Sequence, residues 1–180
     1  MPNPISCSVF VGTSVDGFIA RRDGSLDWLP PGGGEEHGYS AFIATVDAVV
    51  MGRGTFDVVL TFERWPFEKP VIVLTTHERD ARVPADANVE FMSGAPRDVV
   101  GRLAARGMTH LYIDGGVTIH RFLNAGLIDR MTITRVPVII GKGIPLFGPV
   151  RRDVRLEHVV TRSYPSGLVT TEYVVAYDVK

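Results

Sequence analysis

Apolar residues in this chain fall into two kinds of short run, and the two kinds alternate. Residues 47–51 and 70–74 are nearly unbroken apolar stretches, the pattern of strands buried on both faces. Residues 5–12 and 110–113 are rich in residues that suit a pleated surface and read the same way. Between them lie stretches with a helical repeat. Tyr39, Phe42, Ile43 and Val46 recur at helical spacing in and just beyond 35–45, and helices are also predicted over 54–62, 95–106 and 117–124. Gly107 and Gly126 stand just past two of them, where a left-handed cap costs little. Residues 128–140 form a long strand region broken by Pro137, which predicts a bulge or an edge. Two alternating segments, 155–162 and 168–179, flank Ser163-Tyr164-Pro165-Ser166-Gly167 and predict a hairpin. Pro30-Pro31-Gly32-Gly33-Gly34 reads as a loop. The expectation is one α/β domain: a central, mostly parallel sheet, helices on both faces, and an antiparallel C-terminal hairpin.

Composition narrows the partners. The 180 residues suit a single domain, and a formal net charge of -1 gives no footprint for nucleic acid or a membrane. Cys7 is the only cysteine, so an intrachain disulfide is excluded, and its strand context reads as a small buried thiol. The five histidines lack ligand spacing, so no metal is expected. Met1-Pro2-Asn3-Pro4 lacks the basic and apolar regions of a signal peptide, and the expected location is the cytoplasm.

Candidate chemistry gathers where predicted strands end. In Ile113-Asp114-Gly115-Gly116-Val117-Thr118 a strand runs through two glycines into a helix. Such a turn lets a phosphate approach the backbone and meet the unpaired N–H groups of the helix start. A plain tight turn has the same sequence, and the third glycine of a dinucleotide fingerprint is lacking. Met51-Gly52-Arg53-Gly54-Thr55 repeats the arrangement, with Thr55 a possible helix cap and Arg53 a possible phosphate ligand. Leu74-Thr75-Thr76-His77 presents two hydroxyls at a third strand end. Thr13-Ser14-Val15-Asp16-Gly17-Phe18-Ile19-Ala20 leaves the first strand through a turn, either as a simple connection or as a cover for a flat ring.

These segments, in this order, resemble the dihydrofolate reductase superfamily, and within it the reductase domain of the riboflavin-biosynthesis deaminase-reductase and its stand-alone bacterial relatives. The resemblance is carried by SVDGFIA, DAVVMGRGTFD, VIVLTT, IDGGVTIHRFL and IDRMTITRVPVIIGKGIPLFG, and runs from Ile5 to Val179. Gly141-Lys142-Gly143 before Leu146-Phe147 points to the riboflavin-type branch. The resemblance implies NADPH as cofactor. Gly12, Ile19 and Ala20 would line its nicotinamide end, and Gly52, Arg53 and Thr55 would meet its pyrophosphate and the adenosine phosphate region. Thr75 and Thr76 would receive the 2′-phosphate, and Gly115, Gly116, Val117 and Thr118 would wrap the pyrophosphate from the other side. The family often has a cis peptide at its paired glycines, a form costing about 3 kcal/mol.

The substrate half departs from the pattern. The acid that dihydrofolate reductases keep on the first helix falls here at Gly38, which argues against folate. Asp114 is a shortened counterpart of the acid with which the deaminase-reductase holds its substrate, but Phe56-Asp57-Val58-Val59-Leu60 lacks the matching basic pair. Asp27 and Trp28, in the loop before the first helix, are candidates to close over a substrate, with a hydrophobic plug under the loop the commoner use of a tryptophan; His37 and Tyr39 are candidate proton donors, and solvated surface is the plainer reading of His37. The leading expectation is an NADPH-dependent reductase of a small heterocyclic or carbonyl compound, of the riboflavin-biosynthesis type. The alternatives are a dinucleotide-binding protein with little catalysis and a dihydrofolate reductase lacking its usual acid. The resemblance further implies a homodimer.

Overall fold

A computed structural model describes residues 5–30, 35–77 and 83–177. In chain order its elements are β1 (Ser6–Thr13), β2 (Phe18–Ala20), α1 (Tyr39–Thr45), β3 (Ala48–Gly52), α2 (Arg53–Val59), β4 (Val71–Leu74) and β5 (Val89–Met92). There follow α3 (Pro96–Ala105), β6 (His110–Asp114), α4 (Gly116–Asn124), β7 (Arg130–Arg135), β8 (Ile144–Pro145), β9 (Arg155–Ser163) and β10 (Val169–Ala176).

Eight strands form one sheet in the order β5-β4-β3-β6-β1-β7-β10-β9. Every pairing from β5 to β7 is parallel, and β10 joins β7 and β9 antiparallel. Strand alternation divides the core in two. Cys7, Val9, Ala48, Val50, Ile72, Leu111 and Ile113 face one side, where Val99, Val100 and Leu103 of α3 and Ile119, Phe122 and Leu123 of α4 cover them. Val49, Met51, Val71, Val73 and Tyr112 face the other, against Phe56 and Val59 of α2 and the ring of Phe42 from α1. The expected helices on both faces are therefore present, two to a face.

Local signals explain most element ends. Pro96 opens α3, Asp98 lies in its first turn and Arg102 in its last, as the helix dipole favours. Gly107 follows at φ 85, the left-handed stop anticipated for it. Other boundaries differ from the sequence reading. Helix α1 begins at Tyr39 rather than at 35, because Gly38 turns at φ 90 and the Glu36 carboxylate accepts the N–H groups of Gly38 and Ser40. Helix α2 starts at Arg53 and stops at Val59, and β7 ends at Arg135, short of Pro137. Strand β5 and the small antiparallel pair of β2 and β8 were not anticipated. The expected loop over 30–34 lies, beyond Pro30, outside the described residues, as does the strand end beyond 177. Among the described residues no helix is long and apolar enough to cross a membrane.

Candidate active site

Strands β4, β3, β6 and β1 are consecutive neighbours running the same way. Their carboxyl ends therefore line up over about 14 Å, three strand spacings. Thr75 and Thr76 leave β4, Gly52 ends β3, Asp114 ends β6 with Gly115 directly after it, and Gly12 lies next to the end of β1. The exits gather on one edge.

Two of these exits are interlocked. Gly115 sits at φ 87, and a Cβ there would collide with the Thr55 hydroxyl of α2. A Cβ on Gly52 would lie 3.0 Å from the Thr118 hydroxyl of α4. Each helix thus lays a threonine on the glycine of the neighbouring turn, so the pattern strand-glycine-helix-threonine occurs twice and fits itself. Neither Gly52 nor Gly115 offers a side-chain cap, and Thr55 makes no cap bond, which corrects the plainer role considered for it. The first-turn N–H groups of α4 therefore have no side-chain acceptor among the described residues. No cis peptide occurs among those residues, so the glycine pair departs from the family habit.

A lid of two short strands lies over the second glycine. A Cβ on Gly116 would come within 3.0 Å of the Pro145 carbonyl and 3.1 Å of Ile19 Cδ1. Ala20 is buried next to it, and Gly143 leaves room for the Ala20 carbonyl. Across β1, Gly12 would meet Leu29 at 3.2 Å if it carried a Cβ. Sequence reading missed Leu29, Ile144 and Pro145. The signal was the Gly-Lys-Gly segment: Gly143 is small because a strand backbone crosses it.

Arg53 donates from Nε to Asp57 at 2.7 Å, one helical turn on. Thr75 Oγ1 closes a small turn, accepting the His77 N–H at 3.0 Å, while Thr76 is exposed. Val117 is 72% exposed beside the glycine pair, whereas Thr118 is buried. A groove of about 540 Å³ is lined by Gly24, Ser25 and Leu26 and by Gly54, Val58 and Phe62 of the α2 region. A second, of about 490 Å³, runs between Arg21, Arg22 and Lys142.

The substrate candidates separate. Asp27 turns outward to Arg21 at 2.5 Å and to Ser25 at 3.0 Å. The Trp28 indole N–H is buried with no hydrogen-bond partner among the described residues, so it is a donor without an acceptor. His37 packs its ring edge-on to Tyr164, centroids 4.8 Å apart, against the terminal hairpin. Asp114 follows Tyr112 by two residues and so faces α1 and α2. It accepts the Gly115 N–H at 2.8 Å, and burial pushes its carboxyl up to about 6. Burial and then the Asp114 charge push the Tyr39 hydroxyl up to about 12. Tyr112 is raised by burial and then by Asp114 and Tyr39, and it donates to the Phe10 carbonyl at 2.8 Å. Among the described residues no three His, Cys, Asp or Glu side chains converge to hold a metal.

Residues 7–170 match the family model of the RibD C-terminal domain. The uncharacterized protein YwjB of Bacillus subtilis is 33% identical over 159 residues, covering 87% of this chain and 90% of its own. A crystal structure of a candidate riboflavin biosynthesis protein from Shewanella sp. PV-4 shares 39% identity with a TM-score of 0.86, covering 96% of this chain and 100% of that one. The diaminohydroxyphosphoribosylaminopyrimidine deaminase/5-amino-6-(5-phosphoribosylamino)uracil reductase of Thermotoga maritima is alike in fold, with a TM-score of 0.71 at 17% identity over 96% of this chain and 57% of its own. So is the dihydrofolate reductase of Enterococcus faecalis, complexed with NADP(H), at 0.68 and 17%, covering 94% of this chain and 96% of that one. The mostly parallel sheet and its antiparallel tail agree with these likenesses: the chain belongs to the RibD C-terminal domain family and has the dihydrofolate-reductase-like fold.

Proposed function

We propose that this protein is an NADPH-dependent reductase of a small heterocyclic or carbonyl substrate, of the 5-amino-6-(5-phosphoribosylamino)uracil reductase type. One observation carries the reading: two glycine turns at adjoining strand ends, each closed to a side chain and each opening a helix. A Cβ at Gly115 would collide with the Thr55 hydroxyl, so the glycine lets α2 seat directly on the β6–α4 turn and brings the two helix starts together. An anionic pyrophosphate is the group that such backbone amides and a helix start favour.

The chain's own residues divide the work. Gly115, Gly116, Val117 and Thr118 wrap the pyrophosphate from one side, and Gly52, Arg53 and Thr55 meet it and the adenosine phosphate region from the other. Asp57 fixes the Arg53 fork by holding its Nε. Thr75 and Thr76 receive the 2′-phosphate, which distinguishes NADPH from NADH. Gly12, Ile19 and Ala20 flank the nicotinamide, whose hydride is the reducing equivalent. The lid of β2 and β8 excludes water there. Trp28 offers its unpartnered N–H to the acceptor, Asp27 closes the loop over it, and Asp114 bounds it from below. The protein works in the cytoplasm as a homodimer on a small-molecule substrate, without nucleic acid.

The test is spectroscopic. Purified protein is mixed with NADPH, and pteridine, pyrimidine and quinone acceptors are screened for loss of the nicotinamide absorbance. The reading expects turnover of at least one acceptor with NADPH and slower turnover with NADH. Tight NADPH binding without turnover of any acceptor would leave a dinucleotide-binding protein instead, and efficient turnover of dihydrofolate would make it a folate reductase.

A further inference from the structure

The segment 21–29 leaves the lid at Ala20 and returns to the end of β1 at Leu29, which lies over Gly12. Ala20 and Gly12 flank the nicotinamide in the reading above, so this segment arches over that end of the cofactor. Its middle rests on α2: Gly24 is buried, and a Cβ there would come within 2.8 Å of Val58 Cγ2. The groove of about 540 Å³ lined by this segment and by α2 therefore opens beside the reducible carbon, and its volume is that of a small-molecule site. Its polar side chains share one property. Ser25 spends its hydroxyl hydrogen on Asp27 at 3.0 Å, and Thr61 spends its own on the Val58 carbonyl at 2.6 Å. Asp23 accepts the Ser25 N–H and Asp57 accepts from Arg53 Nε, each through Oδ1, which leaves Oδ2 to a ligand. What these side chains still offer is lone pairs. Among the described residues no Arg, Lys or His lines the groove. The cations on the bordering elements are turned elsewhere. Arg53 is held by Asp57 and Arg21 by Asp27 at 2.5 Å, while Arg22 lines the other groove with Lys142.

We propose that this groove selects an unphosphorylated, amino-substituted heterocycle or its riboside over the corresponding phosphate ester. The inference rests on the reductase reading above and narrows its substrate class. A phosphate ester carries a charge of about -1.5 to -2 at neutral pH, and its oxygens only accept hydrogen bonds. In this groove it would meet further acceptors and the carboxylates of Asp23 and Asp57, with no donor side chain to answer it. Ring amino groups and sugar hydroxyls meet the same atoms as donors. Leu26, Val58 and the half-exposed ring of Phe62 supply an apolar wall for the flat part of the molecule.

The probes are 5-amino-6-(ribosylamino)uracil and its 5′-phosphate, which differ only in the group at issue. Calorimetry measures the Kd of each on the protein without cofactor, at about 20 mM and about 500 mM salt. NADPH oxidation gives kcat/KM for each as acceptor, and Thr61→Arg is carried alongside to place a cation in the groove. Wild type should bind the riboside about tenfold or more tighter than the phosphate, and high salt should narrow the gap. The two kcat/KM values should follow the same order. In Thr61→Arg the preference should fall to parity or reverse. A phosphate that binds wild type as tightly as the riboside overturns the proposal, and so does a protein that binds neither. A Thr61→Arg protein with native circular dichroism and the full wild-type preference overturns it as well. Lack of NADPH binding, or of turnover with both probes and with phenanthrenequinone, sinks the reductase reading instead. The paired Kd values, which need neither cofactor nor turnover, tell the two failures apart.

Discussion

Gly115 and Gly116 are neighbours with different reasons for being glycine. Gly115 needs its left-handed φ of 87 and lies under the Thr55 hydroxyl, so Gly115→Ala should cost about 2–4 kcal/mol in urea denaturation, backbone strain plus overpacking. Gly116 has ordinary backbone but faces the lid, 3.0 Å from the Pro145 carbonyl for an added Cβ. Gly116→Val should fold and lose NADPH binding, because the lid must lift. Unchanged binding would make the pair a mere turn. Asp114 adds a linkage effect. Its folded carboxyl is raised from 3.8 to about 6, so its contribution to stability is complete below pH 4 and is lost as pH rises to about 6. Melting curves should show Asp114→Asn gaining on wild type by at most about 3 kcal/mol across that window, and no further above it. The sequence pointed to both glycines but not to this carboxyl's proton, because burial from α1 and α2 is a property of the assembled face.

At the scale of elements, the strands with strict alternation or unbroken apolar runs were legible, and the marginal ones were not. Strand β5 is Val89-Glu90-Phe91-Met92, four residues at a sheet edge, with Glu90 bound to Arg106 at 2.8 Å. Its pattern is too short to stand out, and β4 alone gives it a partner. Strands β2 and β8 owe their existence to each other and to the glycine they cover. Helix α1 is legible only in its apolar positions: none of its residues is fully buried, and Glu36 rather than a repeat sets its start. It is held by aromatic packing, Phe42 lying 5.1 Å from Phe10 and 5.0 Å from Tyr112 between ring centroids. Phe42→Ala should therefore cost about 2–3 kcal/mol, less than a fully buried phenylalanine. Hydrogen exchange in the same variant should show faster opening of α1 with β3 still protected.

Across the whole molecule, the sheet has two halves with different tasks. The half from β4 to β1 gathers the strand exits, and the half from β7 to β9 closes the sheet with antiparallel strands. Strand β9 lies on the outer edge and exposes Leu156 and Val159, which supports pairing with a second copy. Light scattering at micromolar protein should give about twice 19.7 kDa, and an added charge through Val159→Lys should shift the balance toward monomer. Alternation and turn residues made this topology readable from sequence. The pairing of Gly115 with Thr55 and of Gly52 with Thr118 was not, since it arises only when β3 and β6 lie side by side. Whether these paired turns bind a dinucleotide is decided by calorimetric titration with NADPH and NADH. Wild type should bind NADPH saturably at micromolar Kd and NADH more weakly, and Gly116→Val should lose both. Wild-type protein that takes up no NADPH at millimolar concentration would contradict dinucleotide binding.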